Sequence, residues 1–170
     1  MKKAIFIFTF ILFCIGVSFA QTGTKKIIKD GLYLISREGT DTTQFDSLKI
    51  NDIVIGFNYL VIAKNDQKFS RIVIDTSEYV PLELEKLPSA EQQTDIKKKL
   101  MFSLTKEAAE KLKTFTSTHI MKKVALVVGG EAVSIHKIRE PIANGQLQIT
   151  TCSDNACESL IVKMKSDVKK

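Results

Sequence analysis

The segment Lys123-Val-Ala-Leu-Val-Val-Gly-Gly-Glu-Ala-Val-Ser-Ile135 is the most informative stretch of this chain about its fold. Two short apolar runs, both rich in valine, flank the pair Gly129-Gly130. Glycine takes positive φ without steric cost, and the tightest hairpin turns require positive φ at both central residues. The segment therefore predicts a β-hairpin with strands at 123–128 and 131–135.

A strand and a helix precede this hairpin in the sequence. Residues 99–104 have the composition of a strand, and the apolar positions Ala108, Leu112 and Phe115 that follow recur at helical spacing. Thr105 is a suitable N-cap for this helix, because its hydroxyl can accept a hydrogen bond from a free backbone N–H of the first turn.

Another strand and a second helix follow the hairpin. Asn144-Gly145 predicts a turn, and residues 146–150 alternate apolar and polar as a half-buried strand does. Ser153 or Asp154 can cap the closing helix. Its apolar positions at helical spacing are Cys157, Leu160, Ile161, Met164 and Val168.

The order of these elements predicts an α+β fold, a mainly antiparallel sheet with two helices packed on one face and a ferredoxin-like C-terminal half. The N-terminal half is expected to add strands. Candidates are residues 31–36, a long run at 53–63 that Gly56 can interrupt, residues 69–75, and a short extended piece at 80–87 that Pro81 confines to a sheet edge. Residues 88–97, rich in polar residues, are predicted to be a linker.

The first 20 residues have the features of a secretory signal peptide. Lys2 and Lys3 precede an uninterrupted apolar run at 4–17, and the small residues Ser18 and Ala20 form a cleavage site. Cleavage is predicted after Ala20. The alternative is a retained membrane anchor, but the run is shorter than the roughly 20 residues that span a bilayer.

Residues 21–170 are predicted to be a single extracytoplasmic domain, in a periplasm or secreted. Its two parts are a β-rich region at 27–87 and a second region at 98–168, on either side of the predicted linker. The formal net charge of the whole chain is +6, and two of these charges belong to the signal peptide. Such mild basicity, without a basic stripe interleaved with aromatic residues, argues against a nucleic-acid partner.

Cys152 and Cys157 are the two cysteines of the predicted mature chain. In an oxidising compartment they can form a disulfide, which would stabilise the fold by about 2 kcal/mol. Their spacing matches neither a zinc-finger pattern nor a thioredoxin-like redox motif, so no metal or other cofactor is expected.

The two histidines lack the sequence context of a catalytic site. His119 lies at the predicted end of the first helix, where a capping role is ordinary. His136 lies at the end of a predicted strand, beside Lys137 and Arg139. Neither has a serine or a carboxylate at a recognisable catalytic spacing.

From Leu104 onward the chain resembles the head subdomain of the first periplasmic domain of SecD and SecDF, over residues 104–168. The resemblance lies in the order of several short motifs. They are Leu104-Thr-Lys-Glu-Ala108, Phe115-Thr116, Val124-Ala-Leu-Val-Val-Gly-Gly130, Val133-Ser134, Pro141-Ile142, Asn144-Gly145 and Gln148-Ile-Thr150. The chain departs from the family pattern at Ile135-His136, where Ala-Pro is usual, and at Thr151-Cys-Ser153, where Phe-Thr is usual.

The resemblance implies a head-like domain whose relatives contact exported polypeptides or envelope proteins. It does not imply a translocation motor, because the chain has no apolar segment beyond the signal peptide. We therefore expect a non-enzymatic binding domain of the bacterial cell envelope. Its candidate binding surface is an exposed sheet edge or the residues Ile135, His136, Lys137 and Arg139. The alternative is an extracytoplasmic hydrolase whose site is assembled from residues distant in the sequence.

Overall fold

The structure, a computed structural model, describes residues 27–58, 70–95, 97–152 and 154–168. These residues form eight strands and two α-helices, followed by a short 3-10 helix at Met164–Asp167. The strands are β1 Gly31–Gly39, β2 Asp52–Gly56, β3 Arg71–Pro81, β4 Ser89–Thr94, β5 Lys97–Ser103, β6 Lys123–Val128, β7 Glu131–Lys137 and β8 Gln146–Cys152. The helices are α1 Lys106–Thr118 and α2 Asp154–Lys163. The predicted α+β class is confirmed.

Five strands form an antiparallel sheet in the order β2-β3-β1-β6-β7. Because side chains alternate along a strand, β6 contributes to a core on each face of this sheet. Val124, Leu126 and Val128 enter one hydrophobic cluster, and Ala125 and Val127 enter the other. A buried apolar residue at every position after Lys123 explains why β6 reads as an uninterrupted apolar run.

This sheet curls until its two edges meet. Phe57, directly after β2, forms a bridge with Ala132 of β7, and the Asn58 N–H donates to the Ala132 carbonyl at 2.9 Å. The cluster that includes Tyr33, Ile72 and Ile74 lies inside the curl, where all three side chains are buried.

The remaining strands form a second antiparallel sheet in the order β4-β5-β8. The expectation of one sheet is therefore wrong. Both sides of β6 are already occupied, by β1 and β7, so β5 and β8 pair with each other instead. The ferredoxin-like arrangement of the C-terminal half is not confirmed, since its four strands are divided between the two sheets.

Both helices contribute to one core, which also takes side chains from both sheets. This cluster includes Leu112 and Phe115 of α1, Leu160 of α2, Leu100 of β5 and Val133 of β7. All five side chains are at most 2% exposed. The two sheets and the two helices are therefore held together by a common apolar interior, whose burial is the main stabilising term of the fold.

The predicted local signals of α1 and of the hairpin are confirmed. The Thr105 hydroxyl accepts a hydrogen bond from the Ala108 N–H at 3.3 Å, so Thr105 is the N-cap of α1. Gly129 and Gly130 have φ values of 62° and 80°, as the tight turn between β6 and β7 requires.

The predicted linker at 88–97 is wrong, because Ser89–Thr94 form β4 and Lys97 begins β5. All six side chains of β4 are exposed, so this edge strand has no apolar periodicity that could reveal it. It is held instead by backbone pairing with β5.

The extended piece predicted at 80–87 is not a separate edge strand, because residues 80 and 81 end β3, which lies between β2 and β1. β2 ends at Gly56, although residues 59–63 of the predicted run lie outside the described residues, as does Phe69. Pro81 ends β3 within the five-stranded sheet, but β2 pairs only with residues 71–75 of β3. Pro81 therefore lies on a part of β3 that β2 does not flank, where its missing N–H costs no ladder hydrogen bond.

Candidate functional site

The four residues of the candidate binding surface lie on β7 and just after it, but they do not converge. Ile135 stands opposite Ala125 and packs against the cluster inside the curled sheet. His136 stands opposite Val124 and points to the other face of the sheet. Lys137 and Arg139 are exposed on either side of Ile138, which is buried.

His136 adds little positive charge to this surface near neutral pH. The residue is exposed, but partial desolvation of the imidazole lowers the pKa of His136 below its ordinary value. Lys137 stands opposite Lys123 in the ladder, and the Lys123 ammonium is paired with the Glu38 carboxylate at 2.7 Å. Lys137 and Arg139 therefore provide the positive charge of the segment.

The outer edge of β7 is partly covered. Phe57 and Asn58 occupy it near Ala132 through the bridge and the hydrogen bond that close the curled sheet. Within the described residues, the part that no other strand flanks is the C-terminal half, from Ser134 to Lys137.

β4 presents a longer open edge. It pairs with β5 on one side, from the Ser89–Met101 pair to the Thr94–Lys97 pair, and no other described strand pairs with it. Its six residues, Ser89 to Thr94, include no proline and have exposed side chains. Its outer side is therefore an unpaired strand edge among the described residues, although the Thr94 carbonyl accepts a hydrogen bond from the Gln92 side-chain amide.

His119 has the capping role that its position predicts. It is the C-cap of α1, its Nδ1 lies 2.9 Å from the Phe115 carbonyl oxygen, and its ring packs against the Phe115 ring. Its Nε2 lies 3.8 Å from the nearer Glu78 carboxylate oxygen, which is beyond hydrogen-bond distance. Within the described residues no hydrogen bond joins His119 or His136 to a serine or a carboxylate.

Cys157 is fully buried in the first turns of α2, and Cys152 is the last residue of β8. The two cysteines are five positions apart in the sequence, and a disulfide between them stays a prediction. Among the described residues, no group of three or more His, Cys, Asp or Glu side chains is arranged to hold a metal ion.

A further polar site was not predicted from the sequence. A cavity of about 590 Å³ lies between the start of β1, the end of β3, the β6–β7 turn and the C-terminal 3-10 helix. Asp30 and Asp167 line it, and their carboxyl groups lie close enough to interact directly. The residues are far apart in the sequence and belong to no short motif, so no local pattern could have revealed the pair.

Burial raises the pKa of both carboxyl groups. Desolvation is the main cause in each, and for Asp167 the neighbouring Asp30 carboxylate adds to it, raising the pKa of Asp167 to about 7. The Gly129 N–H, which donates to Asp30 Oδ1 at 2.8 Å, acts in the opposite direction and lowers the pKa of Asp30. Below about pH 7 the pair therefore holds at least one proton.

The fold and these surfaces define a class, a small α+β domain of two antiparallel sheets with an open edge strand. The chain belongs to the SecDF P1 head subdomain family, because the sequence profile of that family matches residues 62–167, more than half of the 170 residues. The predicted resemblance over residues 104–168 is thereby confirmed. The match begins earlier than predicted and includes β3, β4 and β5.

Three solved SecDF structures are similar to the chain. One in a super-membrane-facing form is 27% identical over 48% of this chain and 12% of its own length, with a TM-score of 0.42. A membrane component SecDF that enhances protein export is 18% identical over 79% of this chain and 62% of its own, with a TM-score of 0.46. SecDF from Thermus thermophilus, a translocon-associated membrane protein, is 14% identical over 82% of this chain and 29% of its own, with a TM-score of 0.39.

The chain thus spans less than two thirds of the length of each of these three proteins. No curated protein matches it significantly. In the part of the chain that the structure describes, neither helix is long and apolar enough to cross a membrane.

The motifs of the family pattern contact one another in the structure. The Thr116 hydroxyl accepts a hydrogen bond from the Ile142 N–H at 2.9 Å, which joins two of the quoted motifs. The Leu104 N–H donates to the Gly145 carbonyl at 3.0 Å, which joins two more. A side chain at Gly145 would come within 2.7 Å of the Ala109 methyl group. These motif residues therefore hold α1 against the loop before β8, which is a structural role.

Proposed function

We propose that the chain is a non-enzymatic binding domain of the bacterial cell envelope, which holds an extended polypeptide or an envelope protein partner. The observation that carries this proposal is the open edge of β4. An extended chain that pairs with such an edge continues the sheet, with affinity from main-chain hydrogen bonds. Because the hydrogen bonds are made by the main chain, this mode of binding accepts polypeptides of different sequence. A domain that binds many exported polypeptides needs this tolerance.

The β7 segment is the less suitable of the two edges, since Phe57 and Asn58 already occupy part of it. Lys137 and Arg139 can still contribute to binding by attracting an acidic partner. We therefore assign backbone pairing to β4 and treat the predicted surface from Ile135 to Arg139 as a secondary contact.

Proline substitution at two adjacent positions of β4 tests the proposal. Successive residues of an antiparallel edge strand direct their N–H groups alternately to the partner strand and outward. Of Ala90→Pro and Glu91→Pro, one therefore removes a hydrogen bond to β5 and the other removes an outward donor. The unfolding midpoint in urea identifies which is which, because loss of a ladder hydrogen bond destabilises the sheet.

The binding probe is a fluorescently labelled, reduced and carboxymethylated protein, which cannot fold, and the readout is fluorescence anisotropy. We expect the outward-facing proline variant to keep its stability and to bind about tenfold more weakly, the effect of losing roughly one hydrogen bond. Glu91→Ala is the control for the Lys99–Glu91 ion pair, which joins β4 to β5 at 3.0 Å. Equal binding by the wild type and both proline variants would overturn the assignment to β4, and no binding by the wild type would overturn the proposal.

Export is part of the same proposal. We infer that the domain lies outside the cytoplasm after cleavage behind Ala20, on the strength of the apolar N-terminal run and the small residues that follow it. N-terminal sequencing of the protein recovered from the cell envelope should begin at Gln21. A mature protein that still begins at Met1 would contradict cleavage.

One observation favours the alternative of an extracytoplasmic hydrolase. Asp30 and Asp167 are distant in the sequence, line one cavity and have raised pKa values, that of Asp167 to about 7, as paired acids of an active site do. Hydrolysis of chromogenic ester or glycoside substrates by the wild type, lost in Asp167→Asn, would establish this alternative. Turnover that is absent from the wild type, or equal in both proteins, would exclude these reactions at the pair.

A further inference from the structure

The Asp30–Asp167 pair lies where the C-terminal end of the described chain is attached to the five-stranded sheet. Asp30 directly precedes β1, and Asp167 ends the 3-10 helix that follows α2. The two carboxyl groups line the same cavity and interact directly, which links these two places. Oδ2 of Asp167 is buried and has no hydrogen-bond partner among the described residues, so ionisation of Asp167 would leave charge on an unpaired buried oxygen.

Backbone contacts of both residues make the pair part of this attachment. The Asp30 carbonyl accepts a hydrogen bond from the Leu82 N–H at 3.0 Å, just after β3. The Asp167 carbonyl accepts one from the Leu84 N–H at 2.9 Å, and Val168 forms a parallel bridge with Leu84. The Asp30 side chain also accepts from the Gly129 N–H in the β6–β7 turn. A change in the charge of the pair therefore acts on three places in the fold: the Leu82 amide, the Leu84 amide and the β6–β7 turn at Gly129.

The surrounding charges do not neutralise two ionised carboxylates. Lys163 attracts Asp30, but its ammonium lies 3.6 Å from a Glu131 carboxylate oxygen that also accepts from the Asn58 amide at 3.1 Å. The ionisable groups that face the pair from the neighbouring elements are Lys29, Tyr79, Glu83, Glu131 and Lys163. Including the pair, four acids thus face two lysines, of which Lys29 is exposed.

Protonation decides whether the two carboxyl groups attract or repel each other. With one proton, a carboxylic acid donates to a carboxylate, which is a short and strong hydrogen bond. Without it, two negative charges repel each other in a partly desolvated site. The pKa of Asp167 at about 7 places this change near neutral pH.

We propose that the Asp30–Asp167 pair is a pH-sensitive latch, which fastens the C-terminal helical segment to the sheet while one proton is shared and loosens it when both carboxyl groups are ionised. The segment that it controls is the 3-10 helix Met164–Asp167 and the bridge from Val168 to Leu84. The proposal does not depend on the binding function, because it concerns contacts within the chain.

Hydrogen exchange at the Leu84 amide tests the latch, since this N–H donates to Asp167. Protection factors, corrected for the intrinsic effect of pH on exchange, are measured by NMR from pH 5.5 to 8.5. In the wild type we expect protection of Leu84 to fall about tenfold as the pH rises. This is the change expected if the pKa of the pair is one unit higher with the segment attached than with it detached. In Asp167→Asn the amide donates to Asp30 at every pH, so protection should not change with pH.

Glu158→Gln is the matched control, because Glu158 is an exposed acid on α2 outside the cavity and should leave the wild-type profile unchanged. If Asp167→Asn does not fold, Asp30→Asn carries the same test. The carboxyl carbons of the wild type provide an independent measurement, and one of the pair should titrate near pH 7. Ordinary titration of both carboxyl groups below about pH 5, or the same loss of protection in the wild type and Asp167→Asn, would overturn the latch.

Discussion

The hydrogen bond between Thr116 and Ile142 offers a sharp test of how the family motifs stabilise this fold. Thr116 is fully buried on α1, its hydroxyl donates to the Leu112 carbonyl at 2.7 Å, and the same oxygen accepts from the Ile142 N–H at 2.9 Å. Thr116→Val keeps the shape of the side chain and removes that acceptor. The Leu112 carbonyl keeps its helical hydrogen bond, so the main loss is at the Ile142 amide.

The expected cost follows from the burial of that amide. A buried donor left without a partner costs about 1–3 kcal/mol, and the lower half of this range applies because Ile142 is only half-buried. We expect Thr116→Val to lower the free energy of unfolding by about 1.5 kcal/mol, which for a domain of this size lowers Tm by about 3–6 °C. Thr116→Ser keeps the acceptor and loses one buried methyl group, about 1 kcal/mol.

Two measurements separate the hydrogen bond from packing. Urea unfolding, followed by circular dichroism, measures the stability of each variant, and hydrogen exchange measures protection of the Ile142 amide. Protection should be lost in Thr116→Val and kept in Thr116→Ser. Thr118→Val is the control, because its exposed hydroxyl bonds only within the helix, to the Thr114 carbonyl at 2.9 Å. The reasoning fails if Thr116→Val leaves the Ile142 amide protected, or if Thr116→Ser exposes it equally.

Three further predictions concern the turns, the cysteines and pH. Gly145→Ala should destabilise more than Gly130→Ala in urea, because both glycines have positive φ but only Gly145 faces a neighbouring helix at close range; equal losses would contradict the clash. Intact mass after alkylation should show Cys152 and Cys157 protected without reductant and both modified with it, and two free thiols without reductant would refute the disulfide. Because the folded pKa of Asp167 is raised from 3.8 to about 7, stability should fall as the pH rises through this interval, by about 1–2 kcal/mol after allowance for solvent screening, in the wild type and not in Asp167→Asn.

The features predicted well from the sequence depend on residues close together in the chain. Gly129-Gly130 specifies a turn because two adjacent residues must both take positive φ, and Thr105 caps α1 because its hydroxyl reaches an N–H three residues later. The apolar run of β6 and the alternation of β8 are likewise local signals. These signals suffice for the element order of the C-terminal half and therefore for its α+β class.

The polar edge strand β4 could not be predicted from such local signals. Its six exposed side chains have no apolar pattern, so residues 88–97 resemble a linker in composition. The strand exists because the backbone of β5 has a free side for it to pair with. An exposed edge of this kind, which carries the proposed function, is therefore among the features that composition and periodicity identify least well.

The division of the strands into two sheets and the Asp30–Asp167 pair depend on contacts between residues far apart in the chain. β5 cannot pair with β6 because β1 and β7 occupy both of its sides, a competition that no local pattern records. Asp30 and Asp167 are each unremarkable acids in the sequence, and burial in a common cavity raises the pKa of both. Turn chemistry and hydrophobic period act over a few residues and can be read along the chain, whereas strand partners and desolvation depend on the packing of the whole domain.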